Sequence, residues 1–286
     1  MTITAAKVRE LREMTGAGMM DCKKALESSS GDIEGAVDFL RKAGLKSAAK
    51  KAERETSEGR VHAVVDASGK KGHLVAVACE TDFLSKGDGF QALIDELGEV
   101  LTNCDPDGLD SGDRPLMTQG RSRGEGTVTE LLQEVVGQMG ENIQIVDFAR
   151  FENAEGLIGV YVHHDGKQAA MASVTTGADA GAATETLKAL CQHIVVFPSE
   201  GASRDDIPAD VVERERGVIL ESGDLTKKPA EIQEKILAGR MEKFFAGIVV
   251  SEQPWIHDDK QTVQKALEAS LGAGTRIESF RRFRIG

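Results

Sequence analysis

The chain has 286 residues, of which 40% are hydrophobic and 29% are charged, as in an ordinary soluble globular protein. Its length allows one large domain or several small ones with a sizeable core, and no run approaches the ~20 apolar residues of a membrane span. The formal net charge of −12 argues against nucleic acid or an anionic membrane as the main partner.

The N-terminus and the cysteines indicate a reducing compartment. Residues 1–14 are amphipathic and contain acids, without the apolar centre or the cleavage site of a signal peptide. The cysteines, Cys22, Cys79, Cys104 and Cys191, form no CxxC pair and show no metal-ligand spacing. A cytoplasmic protein with reduced thiols, no metal centre and no cofactor is therefore expected.

Residues 4–44 follow the pattern of three short helices around a small core. Val8, Leu11 and Met14 form the apolar stripe of the first helix. This part is also mildly basic, because residues 1–54 hold 11 Lys/Arg against 8 Asp/Glu. A basic head on an acidic body indicates separate modules.

Capping residues and glycines set the expected ends of these helices. Asp21 is placed to cap the second helix, which should stop at Gly31. Asp32 is placed to cap the third helix, and Gly44 should close it. Residues 45–58 are polar, basic and rich in alanine, which predicts a linker with helical tendency.

The connection between the first two helices carries two methionines, Met19 and Met20, after a GAG segment. Exposed methionines would provide a soft, adaptable contact surface. The alternative is that both side chains fill the small core, and the residues themselves leave this open. GAG follows a helix and lacks the G-x-x-x-x-G-K-[ST] spacing, so this chain is not expected to bind GDP or GTP itself.

A β-hairpin is predicted next, with RVHAVVD and HLVAVACET as its arms and ASGKKG as its turn. The segment TDFLSKGDGF then joins the hairpin to a helix predicted over 89–101. The apolar face of that helix consists of Phe90, Leu93, Ile94, Leu97 and Leu101.

The segment from Thr81 to Phe90 is the candidate binding connection, since surface connections of this kind often carry binding residues. Phe83 has two interpretations. It either presents its ring as a contact or turns inward as core, as most strand-end phenylalanines do. In the second case Asp88 would cap the next helix, with Gln91 completing a capping box.

The helix that ends the first half has clear local boundaries. Thr127 and Glu130 form a capping box, and Gly140 stops the helix. The apolar face of this helix consists of Leu131, Leu132, Val135 and Met139. The acidic segment at 103–114, which precedes the helix and contains Gly and Pro, is given no role.

A second half begins near Glu141 with a predicted strand, ENIQIVDFARF. Asp165-Gly166 joins the arms LIGVYVHH and KQAAMASVTT as a hairpin, and the helix TETLKALCQHIVV follows. Hairpin followed by helix thus occurs at about 59–101 and again at 157–196. This recurrence predicts two related α+β subdomains.

Two charged helices are predicted between 208 and 246, with Pro229 in the first turn of the second. They would pack as an antiparallel hairpin that projects from the body, either as a docking arm or as a solvated excursion. The apolar residues expected to meet are Val211, Val218 and Leu220 with Ile232, Ile236 and Phe244. A short helix at 262–270 and the strand TRIESFRRFRI complete the chain.

Over nearly the whole chain, the order and spacing of five segments resemble the translation elongation factor Ts family. The segments are LREMTGAGMMDCKKAL (Leu11 to Leu26), GDIEGAVDFLRKAG (Gly31 to Gly44), TDFLSKGDGFQAL (Thr81 to Leu93), GENIQI (Gly140 to Ile145) and KILAGRMEKFF (Lys235 to Phe245). The resemblance implies an α+β fold with a three-helix, UBA-like N-terminal domain and linker at 1–54. It implies two related core subdomains with antiparallel sheets, at 55–140 and 141–286, the second including the projecting hairpin at about 208–246.

The same resemblance implies a guanine nucleotide exchange factor for elongation factor Tu that performs no covalent chemistry. In this family the TDFL motif enters the partner's GTPase domain and helps to displace the Mg2+ of the nucleotide. The matching residues are Thr81, Asp82, Phe83 and Leu84. The N-terminal domain docks on the same GTPase domain, and the second core subdomain reaches another domain of the partner. The N-terminal contact residues implied are Arg12, Gly16, Gly18, Met19 and Met20.

Two departures from the family pattern and two rival classes remain. Residues 103–125 are acidic and Gly-rich and match no family motif, so they are given no role. Longer members carry a C-terminal helical module, whereas this chain ends at Gly286, so contacts by that module are expected to be missing or replaced. A cysteine enzyme would use Cys79 or Cys191 with His193, but positions 191 and 193 do not face each other on a helix. A general adaptor would bind ubiquitin-like folds through the N-terminal module and would not depend on Phe83.

Overall fold

The computed structural model of the chain describes residues 3–103, 115–222 and 229–286. Within these ranges the helices are α1 (Ala5–Thr15), α2 (Met19–Ser28), α3 (Ile33–Lys51), α4 (Asp82–Ser85), α5 (Asp88–Asn103), α6 (Val128–Met139), α7 (Ala180–Val196), α8 (Ala209–Glu221), α9 (Ala230–Ile248) and α10 (Val263–Leu271). The strands are β1 (Glu58–Val65), β2 (Lys71–Cys79), β3 (Ile143–Glu152), β4 (Gly156–Val162), β5 (Gln168–Thr175), β6 (Pro254–Trp255), β7 (Asp258–Thr262) and β8 (Arg276–Arg284). Apart from Asn103, the predicted acidic segment at 103–114 lies outside the described residues.

The strands form small sheets, so the predicted α+β class is confirmed. Their orders are β1–β2–β3, β4–β5–β8 and β6–β7. β4 and β5 are antiparallel, with Val160 opposite Met171, and the turn between them contains Gly166 at a φ of 69°. None of the helices in the described ranges combines the length and the apolarity needed to cross a bilayer.

The chain divides into two compact units. The first comprises Met1–His62, Val75–Phe148 and Arg284–Gly286, and the second comprises Ala63–Leu74 and Ala149–Phe283. The division falls within β1, β2 and β3. Each unit has its own apolar core.

In the first unit, α5 and α6 pack on β2 and β3 around one core. The residues predicted for the inner face of α5 are all buried, as are Leu131, Leu132 and Val135 on α6. α6 begins at the predicted capping box of Thr127 and Glu130. It ends at Gly140, whose φ of 81° is a left-handed conformation that favours glycine.

The helices α1, α2 and α3 surround a second, smaller core in the same unit. One expectation for α2 and one for α1 are wrong. α2 begins at Met19 with Gly18 as its N-cap, so Asp21 lies in the first turn and does not cap the helix. The negative charge of Asp21 still interacts favourably with the helix dipole there. Met14 is 62% exposed, because the small core reaches only Val8 and Leu11 on α1.

α3 starts where predicted and ends later than predicted. Gly35 N donates to Asp32 Oδ2 at 2.7 Å, which is the expected cap. The helix then continues through Gly44 to Lys51, across the first half of the predicted linker. Gly44 faces α6, and a Cβ on Gly137 would lie only 2.9 Å from Gly44 Cα. Close packing of the two helices therefore offsets the helical cost of glycine, about 1 kcal/mol.

In the second unit, α7 and α10 pack on the β4–β5–β8 sheet. Asp179 caps α7, since its Oδ1 accepts a hydrogen bond from Gly181 N at 2.9 Å. The single tryptophan of the chain, Trp255, lies in this core. A hairpin followed by a helix thus occurs in the described ranges both as β1–β2 with α5 and as β4–β5 with α7.

α8 and α9 contact each other, but the predicted set of contacting residues is partly wrong. Val218, Leu220 and Ile232 are exposed, whereas Ile219 and Phe245 are buried. Neighbouring helix positions differ by about 100° in direction, so an error of one residue moves a side chain off the packed face. Pro229 precedes α9 as its N-cap and does not lie in its first turn. Residues 223–228, between the two helices, lie outside the described residues.

Candidate functional site

The single helical turn α4 follows β2 and carries the predicted binding residues. Thr81 is its N-cap, and Thr81 Oγ1 accepts a hydrogen bond from Leu84 N at 3.2 Å. Ser85 Oγ donates to Asp82 O at 3.0 Å, and Arg60 Nε donates to Ser85 O at 2.8 Å. Because one turn of helix is not stable by itself, these hydrogen bonds give the segment its shape.

Phe83 lies on the outer face of this turn. Its side chain is 87% exposed, more than any other large hydrophobic residue in the described ranges. The next residue, Leu84, packs against the core of the first unit. The alternative in which Phe83 packs inward is therefore wrong. Asp88 is the first residue of α5 and not its cap, so the predicted capping box is also wrong.

The carboxylate of Asp82 faces solvent beside Phe83. Lys86 Nζ lies 2.7 Å from Asp82 Oδ2 in a pair that is exposed on both sides. Such exposed pairs contribute about 0–1 kcal/mol. Asp82 can therefore exchange this partner for another group at little cost.

Two carboxylates connect this turn to the segment after α6. Thr81 N donates to Glu141 Oε2 at 2.9 Å, and Thr81 Oγ1 donates to Glu141 Oε1 at 2.7 Å. In the opposite direction, Asn142 N donates to Glu80 Oε1 at 2.6 Å, and this bond lowers the pKa of Glu80 below its ordinary value. Sequence reasoning missed Glu141, because no local pattern pairs residues that are 60 positions apart.

The N-terminal candidate residues lie at the connection between α1 and α2. Met19 and Met20 are 48% and 73% exposed, so the alternative in which they fill the small core is wrong. Arg12 is exposed in the last turn of α1, and Gly16 N donates to Arg12 O at 2.8 Å with a φ of 65° at Gly16. Gly18 then caps α2.

The end of α6 lies beside both candidate segments. Gln138 Nε2 donates to Thr15 O at 2.5 Å, which attaches α6 to the α1–α2 connection. Three residues later, Glu141 binds Thr81 at the start of α4. The structure therefore brings the two predicted sets of contact residues to one end of one helix. The sequence contains no sign of this arrangement.

The buried cysteines lack the properties of a nucleophile. Cys79 and Cys191 are fully buried. Burial, followed by the charge of Glu141, raises the pKa of Cys79 to about 11, and burial raises the pKa of Cys191 to about 12. His193 Nε2 lies 2.8 Å from Gln253 Oε1, and burial lowers the pKa of His193. Burial and a raised pKa both favour the protonated thiol over the thiolate, which is the form that attacks an electrophile.

Iodoacetamide at pH 8 is expected to leave Cys22, Cys79 and Cys191 unmodified in the native protein, because all three are free but buried. Peptide mass mapping after a short reaction measures the modification of each thiol separately. The same reaction in guanidinium chloride is the control, and there all three should be alkylated. Fast alkylation of Cys79 or Cys191 in the folded protein would restore the cysteine enzyme as a candidate.

Comparisons with known proteins agree on one family. Residues 80–286 match the family model described as "Elongation factor TS". The chain is 38% identical to the elongation factor Ts of Symbiobacterium thermophilum over 292 aligned residues, covering 99% of this chain and 92% of that protein. It is also 38% identical to the elongation factor Ts of Trichlorobacter lovleyi, over 100% of this chain and 93% of the relative. The elongation factor Ts of Nostoc sp. is 36% identical, at 99% and 92% coverage.

Proposed function

The chain belongs to the elongation factor Ts family, and from this premise we propose that it is a guanine nucleotide exchange factor for elongation factor Tu. In translation elongation it would bind elongation factor Tu with GDP, disturb the Mg2+ and phosphate site of the partner, and release GDP. Fresh GTP would then displace the factor. The proposal involves no covalent chemistry, no cofactor and no nucleotide bound by this chain.

The observation that carries this proposal is the exposed ring of Phe83 on a restrained turn. The side chain of Phe83 is 87% exposed. The free chain therefore lacks the stabilisation that burial of a phenylalanine side chain provides. Solvent-exposed aromatic side chains of this kind are typical anchors of protein interfaces, where a pocket of the partner covers them. The exposed side chains next to the ring, Asp82 and Lys86, are charged.

Phe83 would act in the partner as a wedge. A bound GDP is held through its phosphates by backbone amides and by a Mg2+ ion that bridges protein and phosphate oxygens. Weakening the Mg2+ site removes a large local charge and loosens the diphosphate. A ring inserted between the elements that close over the nucleotide prevents their closed packing. Asp82 would supply a charge or hydrogen bonds there, without being a ligand of the metal.

Linkage determines the order of events. When the exchange factor binds, it lowers the affinity of elongation factor Tu for nucleotide by a certain ratio. Bound nucleotide lowers the affinity of elongation factor Tu for the exchange factor by the same ratio. Exchange therefore passes through a nucleotide-free complex of the two proteins. The role of the factor is complete when GTP binds and expels it.

The remaining contacts and the domain organisation follow the family resemblance. Arg12, Gly16, Gly18, Met19 and Met20 would dock on the GTPase domain, with Thr81 and Leu84 supporting Phe83. The three N-terminal helices would be the UBA-like domain at 1–54, followed by core subdomains at 55–140 and 141–286. The helices α8 and α9 would form the projecting hairpin, and the second subdomain would reach another domain of the partner. Exchange would take place in the cytoplasm.

Release of a fluorescent GDP from elongation factor Tu, at fixed Mg2+ concentration, tests the proposed function directly. Adding this protein is expected to raise the release rate by roughly 100-fold. Bovine serum albumin at the same concentration is the control. If the release rate does not change, the exchange function is wrong. The general adaptor, which binds ubiquitin-like folds through α1 to α3, would then be the better interpretation.

A further inference from the structure

The α4 turn has to hold an aromatic ring in water, and a turn of this length cannot do so by itself. A four-residue helix has almost no intrinsic stability. The hydrophobic effect also favours any rearrangement that lets Phe83 fold down onto the protein surface. The exposed position of the ring therefore depends on restraints from outside the turn.

Glu141 supplies the restraint at the start of the turn. Its two carboxylate oxygens accept one hydrogen bond each from the backbone amide and the hydroxyl of Thr81, at 2.9 and 2.7 Å. A hydroxyl has a single proton, so its donation to Glu141 leaves a lone pair directed at Leu84 N, 3.2 Å away. Glu141 thus sets the orientation in which Thr81 caps α4.

The position of Glu141 is itself held. Gly140 ends α6 in a left-handed conformation, immediately before Glu141. Asn142 N donates to Glu80 Oε1, and Asn142 Nδ2 donates to Arg54 O at 2.8 Å. The two segments are therefore joined in both directions. Glu141 accepts hydrogen bonds from Thr81, and Glu80 accepts a hydrogen bond from Asn142. Hydrogen bonds to charged acceptors of this kind are stronger than neutral ones.

We propose that Glu141 is a positioning residue for nucleotide exchange: its carboxylate holds Thr81 in the capping geometry that keeps Phe83 presented to the partner. This inference rests on the proposed exchange function. Glu141 acts through Thr81 and touches neither nucleotide nor metal. Loss of the Glu141 carboxylate should leave the fold intact. The ring of Phe83 would still be present, but it would be poorly positioned.

Two substitutions at Glu141 should give graded effects. Glu141→Ala removes both acceptors. Glu141→Gln keeps one acceptor oxygen and replaces the other with an amide NH2, which donates and cannot accept, so about half of the restraint remains. The matched control is Glu99→Gln, because Glu99 also bonds exposed side chains, Ser122 and Arg123, but lies near the far end of α5.

The experiment measures the order of the turn and the exchange reaction separately, in the full-length chain. Deuterium uptake of the peptide that covers 80–87 is expected to be about tenfold faster in Glu141→Ala than in wild type. The GDP release rate at saturating factor should fall by about tenfold, while the factor's Kd for nucleotide-free elongation factor Tu changes by less than about threefold. The uptake rate and the release rate of Glu141→Gln should lie between those of Glu141→Ala and wild type. Both rates of Glu99→Gln should match those of wild type.

Each outcome decides the proposal. Unchanged deuterium uptake in Glu141→Ala, or faster uptake with an unchanged maximal release rate, overturns the positioning role. A loss of affinity and thermal stability with a normal maximal rate shows a purely structural residue and also overturns it. If wild type fails to accelerate release, the exchange function fails and the role in exchange fails with it. The uptake data then still show whether Glu141 orders the turn.

Discussion

Phe83→Ala is expected to remove most of the acceleration of GDP release while leaving the protein folded. Truncation of a central aromatic anchor typically costs about 2–4 kcal/mol of interface free energy. If that energy is used to open the nucleotide site, the rate at saturating factor falls by roughly 30- to 100-fold, the upper value being the loss of all the acceleration. The stability of the free chain should change by less than about 0.5 kcal/mol, because the ring is 87% exposed and leaves no cavity.

The measurement is the release of fluorescent GDP from elongation factor Tu over a series of factor concentrations, which separates the maximal rate from the apparent affinity. Val146→Ala is the matched control, since Val146 is an exposed apolar residue of the same unit outside the turn. Phe83→Leu should retain part of the activity because it keeps apolar volume. If wild type and Phe83→Ala accelerate release equally, the exchange function is correct but residues other than Phe83 carry it.

Local patterns predict those features whose causes are local. The inner face of α5, the capping box at Thr127 and the glycine stop at Gly140 each depend on residues within four positions, and all are confirmed. The local pattern at Gly44 predicts the end of α3 for the same kind of reason. Its contact with α6 at Gly137 overrides the local preference, and a single sequence does not show which distant helix will pack there.

The candidate site shows the same limit. The segment from Thr81 to Phe90 is recognisable as a connection, but its residues do not decide whether Phe83 points inward or outward. The direction depends on Leu84 entering the core and on Glu141 binding Thr81, and both are tertiary contacts. Glu141 itself stands at the start of the predicted strand ENIQIVDFARF, where no local pattern gives its side chain a role. Spacing along the chain could not have connected it to the turn.

Phe90→Ala is expected to destabilise the first unit by about 3–5 kcal/mol, in contrast to the same substitution at Phe83. Phe90 lies seven residues further along, where it is 0% exposed and packs in the core between α5, α6 and the sheet. Removing its ring loses transfer free energy and leaves a cavity among side chains that cannot fully close it. A loss of this size is a large part of the 5–15 kcal/mol that typically stabilises a domain.

Urea unfolding followed by far-UV circular dichroism measures this loss as a lower midpoint. Trp255, the single tryptophan, lies in the second unit, so its fluorescence reports there separately. Phe90→Leu should cost only about 1 kcal/mol, because it preserves most of the apolar volume. A variant Phe90→Ala with wild-type stability would mean that α5 is not anchored through this ring. The α4 turn would then lack a firm core beneath it, because Leu84 packs against that same core.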